Sequence, residues 1–454
     1  MTETLSAPAA RALQYFEARG TATSSELQQW LGKSQPTVSR LLAEVSTQGV
    51  VALRQGRGAR YGLCRPLLGS ISGEQPIWRR DEYGRTERWG TLRWLAAGTV
   101  HAVGPRGAEW LVKDGLPWFL APLRLEGFLG KLQARSTHLQ LRLGDDPRRW
   151  SVEEQLYAAV AQVRDAPGAL TLGDPEAAPA PGPVPHDDAQ RVLVYDQIAA
   201  DVAVHLSAGS SAAGDQPKFL VCRSPPPDAT DAWQWLIVKF TPPRDTPFGA
   251  RWHDLLHAEA LALRTLGEAG EPVTASGVIS SGRRSYFEAE RFDRLGRHGQ
   301  RHAVPLWAVH DAFVRGAKQH WVATCEALGT QRRLGAQDVQ RVQRWRCFGQ
   351  LIGNNDMHFG NLSLWADDLA AAKFELAPCY DMLPMAYRPE PMRDDFGLTP
   401  LNPQRAPTVD SATWAQAAEW ATIYWERVST HAQCSSEFRS VAALNAERVH
   451  ALGR

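Results

Sequence analysis

An α+β protein of two lobes, carried behind a small helix-turn-helix unit, is the architecture this chain predicts, and three stretches predict it. The first is Gly353-Asn354-Asn355-Asp356-Met357-His358-Phe359-Gly360-Asn361, where Asp356 and Asn361 stand in the spacing D-x-x-x-x-N. Phosphoryl transfer asks for a carboxylate that accepts a hydroxyl proton and an amide oxygen that holds Mg2+. Four intervening residues let one loop bring both to one phosphate. The second is the apolar run Trp235-Leu236-Ile237-Val238-Lys239-Phe240, a strand interrupted by one lysine. The third is Ser34-Gln35-Pro36-Thr37-Val38-Ser39-Arg40-Leu41-Leu42, which follows a helix and a glycine turn.

At 454 residues the chain is too long for one ordinary core. The boundaries expected are 1–66 for the helix-turn-helix unit, 67–172 for a strand-rich module, 188–295 for a small lobe and 296–454 for a helical large lobe. A hydrophobic share of 44% and a charged share of 22% are those of a globular protein. With a net charge of +1, any nucleic-acid surface has to be a local patch. The six cysteines are scattered with no C-x-x-C, which argues against structural zinc and fits a reducing compartment. The opening Met-Thr-Glu-Thr has no basic n-region, and no run approaches the roughly 20 apolar residues of a membrane span. A cytoplasmic location without membrane contact is the expectation.

In the first unit, Ala9, Leu13 and Phe16 share a helical face. A Ser or Thr at 23–25 caps a second helix whose apolar face is Leu27, Trp30 and Leu31, ended by Gly32. Ser34 caps the third helix and Pro36 sits in its first turn. Small polar residues in those first turns suit base edges and phosphates, so Ser34, Gln35, Thr37, Ser39 and Arg40 are candidate DNA contacts. Val50–Leu53 and Arg60–Leu63 read as strands flanking a basic wing tip, adding Arg54, Arg57 and Arg60 as phosphate contacts. Packing or dimerisation is the plainer alternative for this unit.

Residues 67–172 alternate short strands with Gly and Pro breaks and carry no evident chemistry. Residues 173–187 read as an exposed Pro/Ala-rich connector. Ser207–Leu220 is a small, polar loop turning into a strand, without the Walker A pattern; its backbone N–H groups can approach phosphates closely. Lys239 either meets an anion in the interior or lies on an exposed edge, and Glu259 on the next helix is its partner or a surface residue. Tyr286–Arg294 reads as the strand leaving the small lobe, with backbone near Glu290 and Phe292 for adenine and Asp293 for ribose. Helices are expected at 308–328 and 336–351. A hairpin, 362–365 with 374–376, then delivers Asp381 twenty-five residues after Asp356. Glycine-rich loop, strand lysine, hinge, D-x-x-x-x-N, hairpin and aspartate in that order predict a bilobed protein-kinase-like fold.

Gly115–Leu120, Gly127–Gly130, Ser210–Lys218, Glu290–Arg294, Gly353–Asn361 and Tyr380-Asp381 together resemble the HipA family of bacterial serine/threonine kinases, the toxins of toxin–antitoxin pairs. The added N-terminal unit, read as a winged helix-turn-helix, resembles the YjjJ-type branch. The resemblance implies a HipA-like fold that uses ATP and Mg2+, with Asp356 as catalytic base and Asn361 and Asp381 as metal ligands. It places Ser210, Ser211, Gly214, Gln216, Lys218, Lys239, Glu290, Phe292, Asp293 and His358 at the nucleotide, and makes Ser211 the autophosphorylated residue. Its expected partners are a protein substrate such as an aminoacyl-tRNA synthetase, an antitoxin and, through the first unit, DNA. The loop Asp356-Met-His358-Phe-Gly-Asn361 also resembles those of aminoglycoside and choline kinases. A small-molecule kinase, and a regulator whose kinase fold only senses nucleotide, are the alternatives.

Overall fold

The computed structural model describes residues 5–54, 58–141, 143–144, 146–161, 163, 165–176, 182–204, 216–229, 231–390 and 397–453. Arg57, Ser210, Ser211 and Gly214 lie outside the described residues.

Residues 7–63 form three helices, Ala7–Arg19, Ser24–Leu31 and Gln35–Ser46, and a sheet in which Arg60–Leu63 pairs with both Thr21–Thr23 and Val50–Arg54. Thr23 and Glu26 satisfy each other's backbone N–H groups in a capping box. Ser34 precedes the third helix, but its hydroxyl meets Thr37 Oγ1 at 3.1 Å instead of a backbone donor. Val38, Leu41, Leu42 and Val45 turn inward onto Ala9, Phe16 and Leu27. Ser34, Gln35, Ser39, Arg40 and Arg54 are therefore left exposed, and Thr37 is half-buried. Arg60 is half-buried and donates to Thr21 Oγ1 at 3.2 Å. The unit is tied to the next sheet by Ala96 N–H to Leu63 O (2.8 Å) and Arg65 N–H to Trp94 O (3.0 Å).

That next sheet is antiparallel and five-stranded, in the order Glu109–Lys113, Thr99–Val103, Thr86–Leu95, Glu74–Arg80, Leu170–Leu172. Trp118 leaves it to pack edge-on against Phe313 and Phe374, so one continuous core runs from this module into the helical lobe. Helix Gly127–Leu141 follows.

A second five-stranded sheet is ordered Ser276–Ser280, Ser285–Glu290, Gln234–Phe240, Lys218–Arg223, Pro183–Val184. Alternation decides its faces. Leu236, Val238, Phe240, Phe219 and Val221 pack under helix Asp188–Val204 through Tyr195 and Ala199. Ile237, Lys239, Phe287 and Ala289 look the other way, into a cleft. The expected exposed connector is corrected here: Pro183 and Val184 add a parallel edge strand, Val184 is buried, and Ser224 donates to its carbonyl. Proline is tolerated there because an edge strand needs no donor on its outer side.

Beyond the cleft lie helices Trp321–Thr330, Ala336–Leu351, Ser411–Thr430 and Ser436–Leu452, and the hairpin Ser363–Trp365 with Glu375–Leu376. The single helix expected over 308–328 is broken. Leu306–Val309 runs into one wide turn, His310–Val314, and Arg315 then adopts a positive φ of 62° before Gly316. His310 Nδ1 reaches Thr324 Oγ1 at 2.8 Å across the break and holds the two pieces together.

Asp293, expected at a ribose, is committed elsewhere. It is 5% exposed and accepts from Arg291, Arg294 and the Gly168 backbone N–H. Asp165 of the preceding module completes the network, accepting from Arg291 at 2.6 Å and Arg294 at 2.7 Å. Two buried guanidiniums need two carboxylates, and one of these comes from another module. Asp165→Ala is expected to cost about 3 kcal/mol, since it strands buried positive charge. A thermal midpoint unchanged from wild type would show the network to be dispensable.

His302, at the start of the helical lobe, is tied to the same preceding module: Nδ1 accepts from the Ala169 N–H at 3.1 Å, so Nε2 carries the proton and donates to Phe119 O at 3.0 Å. Burial, with Arg79 nearby, lowers its pKa to about 4. The folded state thus refuses a proton that the unfolded state takes up below about 6.5. Stability is present above pH 6.5 and falls by about 3 kcal/mol as the pH drops toward 4. His302→Gln, which keeps a donor and an acceptor but does not titrate, should flatten the pH dependence of urea unfolding in that window; an identical slope would refute the assignment.

Candidate active site

Helix Ala336–Leu351 ends because Gly353 takes a φ of +77°, where an added Cβ would meet Leu401 at 2.8 Å. The chain then enters the Asp356 loop. Asn354 is buried, and its side chain faces two ways: Oδ1 accepts from the Asp356 N–H at 3.1 Å, and Nδ2 donates to Asp381 O at 3.3 Å. This Asx-turn fixes the loop and clamps it to the Asp381 segment. The only mark of this role in the sequence is an asparagine two residues before an aspartate, the spacing of an Asx-turn.

Asn361 Nδ2 donates to the Asp356 carbonyl at 3.0 Å. A carbonyl can only accept, so the amide NH2 must face it, and Oδ1 is left over as an oxygen ligand. The rest of the loop is held from outside. Trp321 Nε1 donates to His358 O (2.9 Å), and Tyr380 donates to Gly360 O (2.8 Å) while accepting from Ser363 Oγ (2.8 Å). His358 is exposed, with Nδ1 accepting from the Gly360 N–H at 3.0 Å.

Lys239 and Lys218 are directly opposed across the two central strands and therefore share the cleft face. Like charges so placed repel unless anions lie beside them. Lys239 is 6% exposed and donates to Glu259 Oε1 and Oε2 at 2.6 and 2.8 Å, and to Asp381 Oδ1. The surface alternative for Glu259 is excluded, since this residue is 1% exposed on helix Pro247–Glu268. Burial pushes the Asp381 carboxyl up, but Lys239 and Lys218 pull it further down, well below the usual range. The Glu259 carboxyl is raised by its complete burial against the pull of Lys239. The Lys239 ammonium, opposed by burial, is raised by Asp381 and Glu259 and stays charged.

One cavity of about 1080 Å3 collects Gln216, Lys218, Lys239, Glu290, Phe292, Asp293, Asp356, His358, Asn361 and Asp381. At the hinge, the Glu290 N–H is already given to Ala275 O (2.8 Å). The Phe292 N–H makes no hydrogen bond among the described residues, which moves the backbone donor available to a base from Glu290 to Phe292. Phe292 itself stacks near Trp365 and Tyr380. Leu125, Phe128 and Val163, from a module read as free of chemistry, form part of the cleft wall.

The residues fit a magnesium–nucleotide complex on two observations. Gln216 Nε2 is a buried donor in the cleft with no partner among the described residues. Asp381 and the spare Asn361 oxygen supply the one or two protein oxygens that Mg2+ uses when phosphates fill its remaining positions. No cluster of three or more His, Cys, Asp or Glu able to hold a metal by itself occurs among the described residues. Nor is any of their helices long and apolar enough to cross a membrane.

The family model of the HipA-like C-terminal domain matches residues 210–447, and that of the middle domain of YjjJ-like toxins matches residues 71–179. Toxin YjjJ of Escherichia coli (strain K12) is 34% identical over 443 residues, covering 95% of each chain. Among solved structures, HipA from Shewanella oneidensis MR-1, in a complex with HipB and its operator DNA, gives a TM-score of 0.52 at 15% identity. That match covers 84% of this chain and 96% of that one, and at this identity it speaks for the α+β fold alone. The chain belongs to the HipA family, in its branch of YjjJ-type toxins.

Proposed function

We propose that the chain is an ATP- and Mg2+-dependent protein serine/threonine kinase. The observation that carries this reading is the convergence on one cleft of Asp356, Asn361 and Asp381 with the Lys239–Glu259 pair. Lys239, Lys218 and Gln216 bind the phosphates, and the Phe292 backbone N–H orients the base. Asn361 Oδ1 and the Asp381 carboxylate hold Mg2+, which when bound neutralises charge on the phosphate oxygens. Asp356 takes the proton of the acceptor hydroxyl. That oxygen bonds to the γ-phosphorus, the bond to the β–γ bridging oxygen breaks, and ADP leaves with the electron pair. A serine of the stretch Ser207–Leu220, Ser211 first and Ser210 second, is the proposed site of autophosphorylation. Close to two added negative charges there would repel ATP and switch the enzyme off.

We assign the first unit to DNA, and an antitoxin partner is proposed by analogy with the HipB and operator DNA of the Shewanella complex. The exposed row Ser34, Gln35, Ser39 and Arg40, opposite a fully apolar stripe, supports this assignment. Proteins of translation, aminoacyl-tRNA synthetases among them, are the proposed substrates.

Incubation with Mg2+ and labelled ATP should mark Ser211 or Ser210 in mass spectra. Asp356→Gln should lower the rate by a factor of about a hundred to ten thousand while ATP still binds. An undiminished rate would remove Asp356 from the mechanism. Arg40→Ala should weaken binding to DNA upstream of the chain's own gene and reduce the slope of log affinity against log salt by about 1; unchanged affinity and slope would send the unit back to a packing role.

A further inference from the structure

The outer face of the N-terminal unit carries a feature that neither its core nor the cleft uses. Trp30, placed by its spacing on the apolar face of the second helix, is 42% exposed. Its ring stands 5.1 Å from that of Tyr15, the Arg11 guanidinium lies 5.3 Å over it, and the Arg19 guanidinium lies 5.9 Å over Tyr15. Arg11, Tyr15 and Arg19 recur every fourth residue of helix Ala7–Arg19, so they line one stripe, apart from the buried Ala9, Ala12 and Phe16. The result is a surface ladder in the order Arg11, Trp30, Tyr15, Arg19, with both arginines exposed.

The carboxylates of this unit are engaged elsewhere. Glu17 pairs with Arg65 at 2.8 Å, Glu26 closes the capping box on Thr23, and Glu44 accepts from the Ser6 N–H and hydroxyl at 2.6 and 2.9 Å. No side-chain hydrogen bond or ion pair reaches Arg11 or Arg19 among the described residues. A guanidinium lying on a ring face keeps its N–H donors, which point outward in its own plane. Stacking therefore orders both cations without using the edges that bind an anion.

We infer that this ladder is a backbone clamp for double-stranded DNA, in which Arg11 and Arg19 each take a phosphate flanking the bases that the third helix reads. The inference rests on the assignment of this unit to DNA above and adds the residues that hold the duplex without reading it. Trp30 lies in the last turn of the second helix, two residues before the left-handed turn at Gly32. Exposed Lys33 then leads into the row Ser34, Gln35, Ser39 and Arg40, so ladder and row meet at one turn. Eight residues of helix separate Arg11 from Arg19 by about 12 Å. Phosphates of one strand recur roughly every 3.4 Å of duplex axis, so two can be met at once. A second copy of the chain fits this surface badly, because two-fold pairing would set one arginine stripe against the other.

The test uses the full chain and two labelled duplexes of equal length, DNA from upstream of the chain's own gene and a scrambled version of it. Each is titrated by fluorescence anisotropy over a series of salt concentrations. Arg11→Gln combined with Arg19→Gln should weaken binding to both duplexes by the same factor, roughly tenfold at low salt, and lower the slope of log affinity against log salt by about 2. The preference for one duplex over the other should stay at its wild-type value, whereas Gln35→Ala should shrink that preference and leave the slope in place. Arg11→Lys combined with Arg19→Lys should keep most of the slope, and thermal midpoints are read to show that each variant is folded. Wild-type affinity and slope in the double glutamine variant overturn the inference and leave the DNA reading standing. A wild-type chain that binds neither duplex strikes the DNA reading, and the clamp falls with it. Binding of labelled poly-glutamate that the double variant loses, with duplex binding intact, would assign the surface to an acidic protein instead and so overturn the clamp.

Discussion

The three-way ion contact of Lys239 with Glu259 and Asp381 organises the molecule. It joins the central strand of the small lobe, the long helix behind it and the segment that follows the large-lobe hairpin. An ammonium has three N–H donors, and all three are spent here, two on Glu259 and one on Asp381. The arrangement is also short of positive charge, with Lys218 the nearest supplement. Within the proposed reaction this has a definite meaning. Lys239 can reach a phosphate by giving up its Asp381 contact, and that release leaves both Asp381 oxygens, and not Oδ2 alone, for a cation. The same exchange satisfies both, so neither buried charge has to stand alone while the site fills.

Rigidity on the other wall of the cleft comes from a different source. The hinge is fixed by Arg291 and Arg294 clasping Asp293, with Asp165 brought in from the preceding module. His302 ties that preceding module to the helical lobe through neutral hydrogen bonds, and Trp118 packs across the same junction against Phe313 and Phe374. The module between the N-terminal unit and the small lobe is thus a structural part of the cleft. A hinge braced in this way keeps the Phe292 N–H pointed at one place, which is what orientation of a ligand requires.

How much of this could be read from residues alone follows from how local each feature is. The D-x-x-x-x-N loop, the strand lysine and the capping box at Thr23 depend on neighbours a few positions away, and their spacing is visible in the chain. One partner of Asp293, the Gly168 N–H, lies 125 residues upstream, and the two guanidiniums beside it are held in turn by Asp165 of that same distant module, so an aspartate at the end of a strand looked free when it was fully engaged. Glu259 stayed ambiguous for the same reason: helical periodicity cannot say which anion a lysine on a distant strand will take. The break in the helix expected over 308–328 was closer to legible, because Gly316 interrupts the apolar pattern. What tipped the balance was the His310–Thr324 contact, which exists only once the chain has doubled back.

Backbone strain gives an independent pointer to the same residues. Asp381 adopts a φ of +56°, a region that L-residues with a Cβ enter at a cost of about 1 kcal/mol or more. Glycine would remove that strain at no steric expense, as it does at Gly353 on the other side of the Asn354 clamp. Glycine would also remove the carboxylate that opposes Lys239 and delete one arm of the central contact. The left-handed turn aims the side chain at the cleft, while Asn354 holds the carbonyl of the same residue. A strained aspartate at a position where glycine is the relaxed choice is therefore kept for its carboxylate, and the surrounding hydrogen bonds make the strained conformation tolerable.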